Sequence, residues 1–489
     1  MESGAIPERN SQSFRIDNPS RAQLNDSEPT KENTVTSSST STLPSGMDLP
    51  ARLSDINADF MTRILRARGL LADHNEIIRI DESGVGMTAG YFSDIKKLHC
   101  HFKEPTECPS HFVAKAWPDF EMLPGETISD MFVKDIKGYM LPAEHFFPRP
   151  EVFLADFDQT SNHYGLIMAD VDQFGTQKVH EQELTFDEVM QMIPGLVDCA
   201  VSWEGCDTGP AASTLTEFGV AHWSSPENLA LYKEIMPAGA KLFDKVLSMP
   251  ESDLTGGASW QAQFGTGVAE LFTQKLDAHF AQIDPSTGAT CTLSHGDLRG
   301  DNLFFCPKSD ANPEGWLTID FQLMFKGPVP SDLAYLMSSG SVLPEVYSAA
   351  NRDQILKTFY DQFMGKTRRY PDYTFQQFQA EFAAMCTVMF IYYVGMGGAI
   401  WRAAAFENEQ PGRIELGSEP FTVDDLAPDE LRKRMWWRKT IANNRVLMAD
   451  LDLVGLWQTM PDNTDGMGDW VNLPPHLCLL YTSPSPRDS

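Results

Sequence analysis

Positive charge is scarce in this chain: 38 Lys and Arg stand against 68 Asp and Glu, for a formal net charge of -30 and an isoelectric point near 4.6. Phosphate backbones and anionic lipid are first captured by basic patches, so this balance argues against nucleic acid and membrane surfaces as partners. Cysteine is sparse as well. The eight cysteines form no Cys-x-x-Cys pair and no dense framework, which argues for reduced thiols and a cytoplasmic protein. Residues 1–10 are polar and hold no apolar core of a secretory signal. Long apolar runs are missing but for residues 382–401, twenty positions without a charge. A helix of that length spans a bilayer. The run is poor in Leu, however, and holds Gly395, Gly397, Gly398, Cys386, Thr387, Tyr392 and Tyr393. With no second span beside it, the expectation is no stable membrane insertion and a helix buried inside a large domain, apolar all round because it is covered all round.

What is present is enough to fold. Apolar residues make up 42% of the chain and aromatics 11%, above the range of disordered sequences. The ends differ from the middle. Residues 1–50 show almost no apolar periodicity and are Ser- and Thr-rich from 34 to 45, as expected of a disordered leader, with a targeting or phosphorylation segment as the functional alternative. Residues 461–477 read as an irregular tail. The last twelve residues, Cys478-Leu-Leu-Tyr-Thr-Ser-Pro-Ser-Pro-Arg-Asp-Ser489, resemble a translated sequencing adapter, so residues 478–489 are excluded and the natural C-terminus is expected to be missing.

Between the ends, the spacing predicts a short helix over 58–71, strands over 76–80, 91–102 and 112–117, a helix over 124–141, and strands near 152–157 and 164–168. Gly84, Gly86 and Gly90 lie between the first two strands. Beyond Asp170 the pattern turns mainly helical, broken by two short apolar runs between 292 and 320. There is no internal repeat and no long linker.

The second break carries the chemistry. In Leu293-Ser-His295-Gly296-Asp297-Leu298-Arg299-Gly300-Asp301-Asn302-Leu303-Phe304-Phe305, an Asp is followed five residues later by an Asn that leads into an apolar strand. Eighteen residues after Asn302, the strand Leu317-Thr-Ile319 ends in Asp320. Phosphoryl transfer from a magnesium nucleotide needs such a set, a carboxylate to take the alcohol proton and hard oxygen ligands for the metal. The spacing predicts a β-hairpin that sets Asn302 beside Asp320.

On these residues the chain resembles the aminoglycoside phosphotransferase and choline kinase superfamily, and its flanking elements look most like the ecdysteroid kinase-like, or CHK kinase-like, branch. The resemblance runs from about residue 53 to 457. It implies an α+β, two-lobed protein-kinase-like fold, with a small β-rich N-lobe for nucleotide (51–170) and a larger, mainly helical C-lobe for catalysis and substrate (171–460). It implies ATP and Mg2+ as cofactors, Asp297 as catalytic base, Asn302 and Asp320 as metal ligands, and His295 as a histidine supporting the catalytic loop. Lys115, in Phe112-Val-Ala-Lys115, matches the strand lysine that contacts the α and β phosphates. The family places a Glu in the next helix as its partner. Here Phe132-Val-Lys-Asp135-Ile-Lys-Gly-Tyr139 offers Asp135, one methylene shorter, so either the helix sits closer or a water bridges.

Each feature also has a plainer reading. Glycines between strands are often only hairpin turns, and Gly84, Gly86 and Gly90 are equally open to covering phosphate. A lysine in an apolar strand suggests function, because burying an unpaired ammonium is costly. His99, Cys100 and His101 alternate along a strand, but without a further ligand cluster they read as a solvated face. Trp436 and Trp437, among Arg432, Lys433, Arg434 and Arg438, read as helix surface and packing.

Only eleven residues separate Asp320 from Asp332, and Ser331-Asp332-Leu-Ala-Tyr-Leu reads as a capped helix. Protein kinases need more chain there, to carry a phosphosite and dock a peptide. A small-molecule alcohol is therefore the expected acceptor. Residues 407–430, with eight carboxylates against Arg413 alone, would suit a cationic amino sugar or choline if they rim the cleft, and otherwise form a solvated loop. The branch resemblance implies a sterol-like or other apolar alcohol. The rival from another class is a catalytically silent binding protein with the same fold. The sequence carries no signal for oligomeric state.

Overall fold

The computed structural model describes residues 43–84, 94–116, 126–158, 161, 163–177, 183–247, 257–309, 312–406 and 440–464. Gly86, Gly90, Trp117, the basic-aromatic stretch at 432–438 and the acidic stretch at 407–430 lie outside the described residues.

The small lobe is an antiparallel sheet in the order β1-β2-β3-β5-β4, built from β1 (Ile77–Gly84), β2 (Asp94–Phe102), β3 (His111–Ala116), β4 (Val152–Asp158) and β5 (His163–Ala169). Alternation along each strand decides what its two faces do. Leu98 and Cys100 of β2 and Phe112, Ala114 and Ala116 of β3 join one buried cluster with Phe60, Met61, Ile64 and Leu65 of helix α1 (Ala58–Ala67). His111, Val113 and Lys115 therefore point to the other face. Helix α2 (Glu126–Met140) lies against β4 and β5. Its buried Phe132, Asp135, Ile136 and Tyr139 follow the spacing of a single helix stripe. Three of the four are the apolar residues that the stripe needs, and the fourth is a carboxylate.

The packed chain begins earlier than the change in composition near residue 50. Leu43 and Met47 rest on the small-lobe core, and the Leu43 N–H donates to Asp156 Oδ2 at 2.8 Å. These apolar residues are too widely spaced to give a periodic signal, which is why the sequence reads the stretch as leader.

The larger lobe opens with α3 (Phe186–Ser202), started by a capping box in which Thr185 and Glu188 exchange side-chain and backbone bonds of 3.3 and 2.9 Å. Helices α4 (Gly209–Glu217) and α5 (Pro226–Leu247) follow. Of the charge-free run expected to be interior, residues 382–391 and 394 are packed inside the lobe. The run belongs to the helix Phe375–Phe406, which packs on α5 and on the helix Ser331–Ser338 and buries Phe378, Phe382, Met385, Met389, Phe390 and Val394. Among the described residues no helix is long and apolar enough to cross a membrane. The two apolar runs between 292 and 320 become short strands. Strands β6 (Thr176–Gln177), β8 (Leu303–Phe305) and β9 (Trp316–Thr318) form one small sheet, while β7 (Thr292–Ser294) pairs with β10 (Phe325–Gly327).

Candidate active site

The loop between β7 and β8 is fixed by a glycine and a histidine. Gly296 has φ +81°, and a Cβ there would lie 2.0 Å from the Leu323 carbonyl oxygen, so only glycine fits the turn. His295 is fully buried. The Thr318 hydroxyl donates to the Asn302 carbonyl at 3.0 Å, so it accepts from His295 Nε2, 2.8 Å away. The Ile319 carbonyl accepts from the same nitrogen at 3.2 Å, while Nδ1 accepts the Asp297 N–H at 3.2 Å. These partners require the neutral tautomer with its proton on Nε2, and burial agrees, pulling the imidazole down to about 4. His295 thus supports the loop through its backbone and does not touch the Asp297 carboxylate by hydrogen bond.

Asp332 holds the same loop from below, accepting the N–H groups of His295 and Gly296 at 3.0 and 3.3 Å. This corrects the reading of Ser331 and Asp332 as a helix cap. The helix Ser331–Ser338 starts with Pro330 at its N-cap position and has no side-chain cap, because the Ser331 hydroxyl is spent on the Pro328 carbonyl and the Asp332 carboxylate on the loop. Burial pushes that carboxyl up to about 7, against the pull of the two N–H donors.

Asp297 is buried and its oxygens are engaged. The Tyr335 hydroxyl donates to Oδ1 at 2.5 Å, Asn302 Nδ2 donates to Oδ2 at 3.1 Å, and Arg299 Nε stands 3.3 Å from Oδ1. Tyr335 and Arg299 were missed in the sequence. A signal existed for Tyr335, which lies three residues after Asp332 and so on the same helix face. The Asn302 amide also donates to the Asp297 carbonyl at 2.9 Å, and these two bonds aim its amide oxygen away from Asp297.

The predicted hairpin forms. Leu303 pairs with Thr318, and the Ile319 N–H donates to the Asn302 carbonyl at 3.1 Å, bringing Asn302 next to the strand end that carries Asp320. Asp320 itself has φ +71°, a left-handed backbone that costs a non-glycine residue about 1–2 kcal/mol. The kink drives Phe321 among Tyr139, Phe146, Phe147 and His295, at centroid distances of 4.6 to 6.3 Å. Burial pushes the Asp320 carboxyl up to about 7. Lys115 opposes that rise, while the charges of Asp135 and Asp297 add to it.

Lys115 and Asp135 meet directly through Nζ and Oδ2, both buried. The shorter side chain is accommodated by a close helix, and no bridging water is needed. The second oxygen, Oδ1, accepts the Phe321 N–H at 2.9 Å, and Tyr139 Oη accepts the Asp320 N–H at 3.2 Å. Gly138 permits this approach, since a Cβ there would lie 2.7 Å from Phe321 Cβ. Burial opposes the Lys115 ammonium, but Asp135 and Asp320 outweigh it and hold the group above its ordinary value. Gly84 ends β1 opposite Lys96, with open space where a Cβ would be. Of the candidates, the structure joins Lys115, Asp135, His295, Asp297, Asn302 and Asp320 in one polar site and leaves Gly84 apart from its contacts.

Residues 216–370 match the ecdysteroid kinase-like family, the branch that the motifs resemble. Solved structures similar to the chain include an aminoglycoside phosphotransferase from Alicyclobacillus acidocaldarius (12% identity, 78% of this chain and 93% of that one, TM-score 0.41). Others are amicoumacin kinase in complex with AMP-PNP and Ca2+ (12%, 78% and 92%, 0.40) and the GDP complex of aminoglycoside 2'-phosphotransferase-IIIa (13%, 69% and 91%, 0.37). Likeness of that degree says nothing about the reaction. No curated protein matches the sequence. The family match covers residues 216–370, less than a third of the chain, and falls in the larger lobe of the two-lobed α+β architecture.

Proposed function

We propose that the chain is an ATP- and magnesium-dependent kinase that moves the γ-phosphoryl group to the hydroxyl of a small alcohol. The observation that carries this reading is the convergence of Lys115, Asp297, Asn302 and Asp320, from separate parts of the chain, on one site where the charges of Lys115 and Asp297 act on Asp320. Asp297 takes the alcohol proton. The alcohol oxygen then bonds to the γ-phosphorus as its bond to the bridging oxygen breaks, and ADP leaves. Asn302 holds Asp297 in place for this, and Lys115 neutralises phosphate charge.

The residues present suit magnesium. Asp320 Oδ1 is out of solvent with no hydrogen-bond partner among the described residues, an arrangement that a hard cation satisfies. Asn302 and Asp320 would hold the ion, which supplies charge neutralisation on the phosphates. The acceptor is a small molecule because residues 321–331 form packed structure with no room for a peptide-docking loop, and the branch favours an apolar, sterol-like alcohol over a cationic one.

The test is ATP turnover across sterol-like, amino-sugar and choline-like alcohols, with the phosphorylated product identified by mass spectrometry. Transfer to one of these alcohols, dependent on magnesium, is expected. A folded chain that fails to bind magnesium-ATP, or that phosphorylates protein efficiently, overturns the proposal.

A further inference from the structure

On the small lobe, β1, β2 and β3 set three polar residues in one row across the sheet. Asp81 lies opposite His99, and His99 opposite His111. His101, two residues along β2, shares their face, while Leu98 and Cys100 point into the core. Ligand-type atoms of Asp81, His99 and His101 all lie within 4.8 Å of one another. His101 Nε2 is 2.7 Å from Asp81 Oδ2. His111 braces the group, its ring stacked on His99 with centroids 4.1 Å apart and 13° between planes, and its Nδ1 engaged by Ser110 Oγ at 2.9 Å.

We propose that Asp81, His99 and His101 form a binding site for one divalent transition-metal ion of the zinc type, with water completing the shell. Two imidazoles and a carboxylate select such an ion over magnesium or calcium, which take oxygen ligands. Ligand atoms on tetrahedral zinc sit about 3.3 Å apart for bonds of about 2.0–2.1 Å, a contraction that rotamer changes on this partly exposed face can make.

The cluster already attracts a cation. The Arg79 guanidinium stands 3.1 Å from Asp81 Oδ2 and 2.9 Å from His101 Nε2, where it competes with a metal. Its ion pair is exposed, so little free energy is lost when it swings away. Of the other charges nearby, Lys97 is paired with Asp170 and Asp172, and Lys96 with Glu82. The site is separate from the proposed magnesium position, because His111 precedes Lys115 by four residues on β3, about 13 Å of strand. An ion here ties β1 to β2, the two strands that flank Gly86 and Gly90.

The test uses the full chain, stripped with chelator and held in excess magnesium, titrated with zinc by calorimetry. One zinc per chain is expected. A double His99→Asn, His101→Asn variant should weaken zinc affinity at least ~100-fold, with an unchanged melting temperature in the absence of zinc. Arg79→Gln should tighten binding several-fold by removing the competitor, and it reports independently should the double variant fail to fold. No stoichiometric zinc binding by the wild type, undiminished affinity in a folded double variant, or weaker binding by Arg79→Gln each overturns the proposal.

Discussion

A carboxylate that is to accept a proton must be fixed without being saturated. Asp297 meets this demand through Tyr335 on one oxygen and Asn302 on the other. Asp297→Asn keeps the shape but removes the acceptor, so turnover should fall by at least ~10²-fold while nucleotide binding persists. Steady-state kinetics set beside equilibrium ATP titration checks this, and near-normal turnover in a folded variant would refute the role of Asp297. Asp332 makes a different prediction. Its folded value of about 7 lies above the unfolded value near 4. The stability it contributes is thus complete below about pH 4 and is lost as pH rises through 7. Asp332→Asn, neutral throughout, should melt with a shallower decline between about pH 4 and 7 than the wild type. Parallel slopes for the two proteins in thermal melts would count against a buried, proton-binding Asp332. The proximity of Asp297, Asn302 and Asp320 was legible because the first two share one short motif and the third ends the strand that pairs with the one following it. That of Tyr335, Arg299 and Asp332 was not, because it depends on where a helix and a loop meet.

At the scale of elements, the strands and helix of the small lobe could be read from periodicity alone, as could the hairpin that carries Asn302 and Asp320. In the structure, β3 sets Lys115 on the face opposite Phe112 and Ala114, and α2 sets Asp135 on the buried stripe of Phe132, Ile136 and Tyr139, whereas in the sequence both stood out only by the family resemblance. What periodicity could not give was the distance between elements. That distance is set at Gly138, where the backbone of α2 meets Phe321. Gly138→Ala should push the two apart, destabilising the fold by about 1–3 kcal/mol as overpacking does and raising KM for ATP by disturbing Asp135 and Lys115. Chemical denaturation and ATP kinetics on the same preparation check both effects. A variant as stable as the wild type would show that the contact relaxes freely. Asp81, the further ligand that His99 and His101 lacked in the sequence, escaped it for a related reason, since a carboxylate some twenty residues from two histidines becomes their neighbour only through strand register.

Across the whole molecule, the segment from Phe321 to Ser331 is short and also fully used. It seats Phe321, pairs β10 with β7 and enters the next helix, and most of its residues are buried. No stretch of it is left to be ordered by phosphate, as activation loops are. The protein made in bacteria should therefore be fully active, and phosphatase treatment should leave its rate on small alcohols unchanged. Activity lost on that treatment would point to a signalling kinase instead. The Asp135 carboxylate has a further mechanical consequence. One oxygen holds Lys115 of the sheet and the other holds the Phe321 N–H of the catalytic side, so both halves of the molecule are pinned to the same group. Lys115 and Asp135 both belong to the small lobe, so drawing the halves apart breaks the Phe321 bond and spares the ion pair. Any parting of α2 from Phe321 must therefore give up the Asp135 bond and the neighbouring Tyr139 bond together, while the pair with Lys115, made inside the small lobe, survives.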